Sequence, residues 1–98
     1  MTSKENILKK IHEHKSELEG LGVLHIGLFG SYVRNAQTSN SDIDILIDFA
    51  PEKENYDNFM FVYDLLEKLF ETEKIEIVTK NGLSPYVGPY ILKEVVYA

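Results

Sequence analysis

From Asp42 to Phe49 the chain reads Asp-Ile-Asp-Ile-Leu-Ile-Asp-Phe, an order that a helix would scatter around its circumference and that a strand sorts onto two faces. Ile43, Ile45, Ile47 and Phe49 share one parity, while Asp42, Asp44, Leu46 and Asp48 share the other. The alternation predicts a β-strand with one apolar face and one face carrying three carboxylates. Helices must cover the apolar face. The acidic face is costly unless cations or water relieve it, because like charges along one strand face repel.

The rest of the chain supplies that covering layer. Thr2 to Glu5 has capping-box spacing, and Ile7, Leu8, Ile11, Leu18 and Leu21 recur at near-helical intervals until Gly20 and Gly22, which predicts one amphipathic helix. Val23 to Phe29 reads as a short strand that stops at Gly30-Ser31. Small and polar residues up to Ser41 predict a tight turn with one or two helical turns. After a charged loop from Pro51 to Asn55, the residues Phe59, Val62, Tyr63, Leu66, Leu69 and Phe70 keep the helical period behind a cap at Asn55 or Asp57. Lys74 to Thr79 predicts a third strand, with Glu76 on the face opposite two isoleucines, and Asn81-Gly82 turns the chain. Ser84-Pro85 then predicts the start of a last helix that Ile91, Leu92, Val95 and Val96 carry to the end. The order α-β-(α)-β-α-β-α implies an α/β fold, a small mixed sheet flanked by helices.

The 98 residues suit one domain, and their 44% hydrophobic fraction suits a packed core. Ten basic against sixteen acidic residues give a net charge of −6. Eleven of the acids lie between Asp42 and Glu76, where only Lys53, Lys68 and Lys74 oppose them, so that surface repels a phosphate backbone and direct nucleic-acid binding is not expected. Absence of cysteine excludes disulfides, Cys-ligated zinc and Cys nucleophiles. No stretch approaches the roughly 18 to 20 apolar residues that span a bilayer, and no signal-peptide pattern opens the chain. The expected setting is the cytoplasm, with no membrane partner.

Chemistry concentrates in Gly30-Ser31-Tyr32-Val33-Arg34 and, eight residues on, Asp42-Ile43-Asp44. A glycine ending a strand lets backbone approach a ligand closely, and the amides beyond it, with the Ser31 hydroxyl, suit a triphosphate cradle. Asp42 and Asp44 stand about 6.6 Å apart along one strand face, a separation from which two carboxylates reach one or two magnesium ions. Glu76, on a neighbouring strand, is the candidate third acid that would complete the metal site. Arg34 has two uses open to it: touching the phosphates, or pairing with Asp48 or a helix end to lock the turn. Asp48 lies about 13 Å along the strand from Asp44 and stays outside the site.

Gly30-Ser31-x-x-Arg34 with Ser41-Asp42-Ile43-Asp44-Ile45 resembles the signature of the DNA polymerase β-like nucleotidyltransferases, and the short chain looks like their minimal members. The resemblance spans nearly the whole chain, residues 1–98 as a single catalytic domain, and implies the polymerase β-like fold. It further implies that Gly30 and Ser31 contact the nucleotide triphosphate, that Asp42 and Asp44 bind Mg²⁺, and that Glu76 helps activate the acceptor hydroxyl. The chain departs twice from the family pattern. The third acid is usually Asp, and Asn35 stands where glycine is common. Minimal members often pair with a helical HEPN-type toxin, so the resemblance implies an antitoxin that moves AMP from ATP onto a partner tyrosine. The competing reading is a binding module with a vestigial site that neutralises its partner by covering it. Modification of a small molecule is a poorer third, since no acceptor pocket is apparent.

Other motifs weigh less. His12 and His14 are two positions apart, about 200° around a helix, and so make no zinc pair. His25 is expected to be a hydrogen-bonded core or edge residue. Tyr86, Tyr90 and Tyr97 share a stripe if one helix carries them all, and packing on the sheet is the expected use, with an interface if they are exposed.

Overall fold

The computed structural model describes residues 2–98. Ser3 caps the first helix, α1 (Lys4–Glu13), accepting a hydrogen bond from the Asn6 amide at 3.2 Å, so the cap lies one residue beyond the predicted Thr2. The helix predicted to continue to Gly20 is broken at His14, and α2 (Lys15–Gly20) follows. The cause is local. The His14 ring nitrogen Nδ1 hydrogen-bonds the Lys10 carbonyl at 2.9 Å, taking the acceptor that the His14 amide would use in an unbroken helix, and that amide turns to Ile11 instead.

Strand β1 (Val23–Phe29) pairs antiparallel with β2 (Ile43–Phe49), and β2 pairs parallel with β3 (Ile75–Thr79). Helix α3 (Tyr56–Leu69) forms the crossover between β2 and β3, and Asn55, of the two candidate caps, accepts from the Asn58 amide at 2.8 Å. Ile43, Ile45, Ile47 and Phe49 are all buried, packed with Ile26 and Leu28 of β1, Ile7 and Ile11 of α1, Leu18 of α2, and Val62 and Leu66 of α3. The strand alternation and the helical stripes thus meet in one core. The small mixed sheet flanked by helices is the architecture expected from the sequence.

The C-terminal segment differs from expectation. Its helix, α4, starts at Gly88 rather than Pro85 and stops at Glu94, and Val96–Tyr97 form a fourth strand, β4, antiparallel to β1. The sheet order is therefore β3-β2-β1-β4. Ser84 caps only the turn ahead of the helix, through its hydroxyl to the Tyr86 amide at 3.1 Å, and Pro89 takes a first-turn position where a missing N–H costs nothing. Gly27 admits β4, because a Cβ there would lie 2.6 Å from Val95 Cγ2 and 2.9 Å from the Val96 carbonyl oxygen. Two residues of strand carry too little periodicity to announce themselves, and their pairing with β1 decides their conformation. No helix among the described residues is long and apolar enough to cross a membrane.

Candidate active site

Gly30 ends β1 with φ +81°, a conformation open to glycine and strained for other residues. Its carbonyl accepts from the amides of Val33 and Arg34, and the Ala36 amide reaches back to the Ser31 carbonyl at 2.9 Å. With Asn35 at φ +56°, this is one helical turn closed by a left-handed residue, so no longer helix follows and little helix field backs the cradle. The closing position suits Gly, which has no Cβ to clash, and tolerates Asn, whose short polar side chain can hydrogen-bond locally, so Asn35 can fill the place of a glycine. Tyr32, buried in the main core, anchors the turn from beneath.

Register brings the acids to this turn. Asp44 is the cross-strand partner of Phe29 on one side and of Glu76 on the other, so it stands between the Gly30 turn and β3. Asp42 immediately precedes β2, where the Ile43 amide donates to the Lys74 carbonyl at 2.8 Å. Asp42 and Asp44 are both half-buried, and Glu76 is exposed. The carboxyl of Asp44 is pushed up to about 6 by burial, then by the Glu76 carboxylate that can share its proton, and then by Asp42, with Arg34 pulling the other way. Burial leads this shift, and the two neighbouring carboxylates add to it.

Among the described residues no three or more His, Asp or Glu side chains converge closely enough to hold a metal ion alone. Hard oxygen donors with excess negative charge nonetheless fit Mg²⁺, which takes one or two carboxylates and fills its remaining positions with water and substrate phosphate oxygens. Asp42 and Asp44 are the residues that fit that role.

Arg34, the chain's single arginine, pairs through Nη1 with Glu94 Oε1 at the end of α4, and not with Asp48. Asp48 holds His25 instead, Oδ2 to Nδ1 at 3.2 Å, out on the strand away from Asp44, so His25 is exposed and paired rather than in the core. The Gly30 amide also donates to Glu94, at 2.9 Å to Oε2. A cleft of about 570 Å³ opens at this point, lined by Gly30, Arg34, Asp44, Val87, Tyr90 and Glu94 among others. Sequence reasoning missed Glu94 and Val87, and read Tyr90 only as a packing or interface residue. The available signal was that Glu94 is the one acid after Glu76.

Tyr86 and Tyr90 do not pack on the sheet, being 84% and 75% exposed, and Tyr97 lies on β4 with its ring edge-on to His25 at 5.8 Å. The expected single helical stripe is thus absent, because the helix begins after Tyr86 and ends before Tyr97.

A glycine turn and two carboxylates stand at the rim of a small mixed sheet, and the chain belongs to the nucleotidyltransferase domain family, whose sequence profile matches residues 6–98. It is a nucleotidyltransferase. The protein adenylyltransferase MntA of Thermococcus cleftensis is 39% identical over 98 residues, covering 99% of this chain and 97% of its own length. A solved structure provisionally described as a minimal nucleotidyltransferase shares the fold with a TM-score of 0.81 at 23% identity, covering 97% of this chain and 95% of that one. A toxin–antitoxin structure with AMP-PNP has a TM-score of 0.64 at 21% identity, over 98% of this chain and 72% of that one.

Proposed function

We propose that this protein transfers AMP from ATP to the hydroxyl of a tyrosine on a helical HEPN-type toxin and so acts as its antitoxin in the cytoplasm. The observation that carries the reading is the register that sets Asp44 between the Gly30 turn and Glu76. A nucleotide whose phosphates enter the cleft at Gly30 and Arg34, with Ser31 next in the chain, would bring its α-phosphate to Asp44, which lines the cleft, with Asp42 two residues before it. Mg²⁺, in one or two ions on those carboxylates, would supply neutralisation of the triphosphate and activation of the attacking oxygen. Glu76, exposed at the rim, is open to an incoming acceptor and takes its proton. The acceptor oxygen attacks the α-phosphorus, the bond to the β-phosphate oxygen breaks, and pyrophosphate leaves. Positioning and charge account for the rate.

Adenylyl transfer to a protein is favoured by the MntA relative's name, and a toxin partner by the toxin–antitoxin structure that shares the fold. The exposed apolar residues Tyr86, Val87, Tyr90 and Leu92, on and before α4, give a partner a surface next to the cleft. The test is transfer of label from ATP carrying radioactive α-phosphate to the helical partner with Mg²⁺. Label on the partner that disappears with Asp42→Asn or Asp44→Asn supports the reading. A stable complex that takes no label replaces it with neutralisation by steric occlusion.

A further inference from the structure

Two of the donors read as phosphate contacts, the Gly30 amide and the Arg34 guanidinium, are engaged by one side chain. Gly30 N–H donates to one oxygen of the Glu94 carboxylate at 2.9 Å, and the Arg34 guanidinium pairs with the other. A carboxylate offers these donors what a phosphoryl group offers, two anionic acceptor oxygens in a plane. The helix that carries Glu94 gives no reason for it to be there. Glu94 is the last residue of α4, where the helix field disfavours an anion, and the side chain lines the same cleft as Asp44, another anion. Its location is held by the cradle's donors, and the side chain is only 21% exposed.

We propose that Glu94 is a built-in occupant of the triphosphate cradle, a residue that sets nucleotide affinity because the phosphates must displace its carboxylate from Gly30 and Arg34 to bind. The proposal rests on the reading of Gly30 and Arg34 as triphosphate contacts. It assigns Glu94 a role in nucleotide selection: a ligand with enough phosphate charge to expel a carboxylate, assisted by Mg²⁺, enters the cleft, and a nucleoside without phosphates gains nothing from the exchange. Once released, Arg34 faces the phosphates with its charge uncompensated.

The experiment compares ATP with Mg²⁺, sodium tripolyphosphate with Mg²⁺, and adenosine by titration calorimetry against the wild type, Glu94→Gln and Glu94→Ala. Removing a charge-assisted competitor should tighten ATP and tripolyphosphate by roughly tenfold in both variants and leave adenosine unchanged. Equal or weaker ATP binding by the variants overturns the proposal and makes Glu94 a residue that positions Arg34. Tightening of adenosine as well overturns it too, since that pattern means α4 has merely loosened from the cleft. If neither wild type nor variants bind ATP, the nucleotide reading of Gly30 and Arg34 falls, and this proposal with it. Glu94→Asp keeps the charge and withdraws the carboxylate by one methylene, so its ATP affinity should lie between wild type and Glu94→Gln even if the other variants fold poorly.

Discussion

The carboxylate of Asp44 lies against the backbone of Gly30 so closely that a Cβ on Gly30 would sit 2.1 Å from Asp44 Oδ2. The glycine therefore serves two ends at once. Its φ of +81° turns the chain out of β1, and its missing side chain lets the carboxylate stand at the mouth of the phosphate cradle. Gly30→Ala should cost about 1 to 3 kcal/mol of stability, from left-handed strain and displacement of the carboxylate, and should also abolish AMP transfer. Chemical denaturation and the transfer assay read the two effects separately. A folded, active Gly30→Ala protein would remove the close approach from the argument.

Asp44 is held in the metal-free protein at an electrostatic cost. Its carboxyl titrates at about 6 instead of 3.8, so the folded chain binds that proton more tightly than the unfolded chain does. The sign follows: the stabilisation is fully present below about 4, and it is lost as pH rises through about 6. With the carboxyl half-exposed, solvent screening reduces the effect to the order of 1 kcal/mol. Metal-free Asp44→Asn should therefore melt higher than wild type at pH 7.5 and equal to it near pH 4, while losing transfer activity. Thermal melts at the two pH values check this, and a lower melting temperature for the variant at pH 7.5 contradicts it.

Asn35 is a structural solution rather than a sign of decay. At φ +56° it closes the Gly30 turn, with the Ala36 amide bonded back to the Ser31 carbonyl. Asn35→Gly should leave both stability and transfer close to wild type, whereas Asn35→Val should cost about 1 to 2 kcal/mol, since a β-branched residue resists the left-handed region. Equal stability of the two variants would show that the turn does not need that conformation.

Strand β2 was legible because its alternation is strict, and with it came the sheet, the covering helices and the register that sets Asp44 between the Gly30 turn and Glu76. Those inferences rest on periodicity and on a turn residue, both local. The break at His14 was not legible, since Ile11 and Leu18 keep the helical phase across it and only a ring nitrogen on the Lys10 carbonyl interrupts the backbone. Strand β4 escaped for a related reason: Val95 and Val96 fit a helical period, and what makes them leave it is the space over Gly27, a contact with a residue nearly seventy positions away. Glu94 escaped because its partners, Gly30 and Arg34, are 64 and 60 residues away.

Tyr86 is the clearest separation of folding from recognition in this chain. At 84% exposed, just ahead of α4, it has little to contribute to the core, and Tyr86→Ala should change stability by less than about 0.5 kcal/mol. A tyrosine at the centre of an interface is a different matter, since truncation there commonly costs about 2 kcal/mol, roughly thirtyfold in affinity. Because Tyr86 stands outside the residues that line the cleft, its loss should leave ATP affinity as it was. Calorimetry of the helical partner against wild type and Tyr86→Ala, with ATP titrated in parallel, tests both halves. Unchanged partner affinity would take Tyr86 out of the proposed interface, and a fall in partner affinity alone would separate acceptor docking from nucleotide binding.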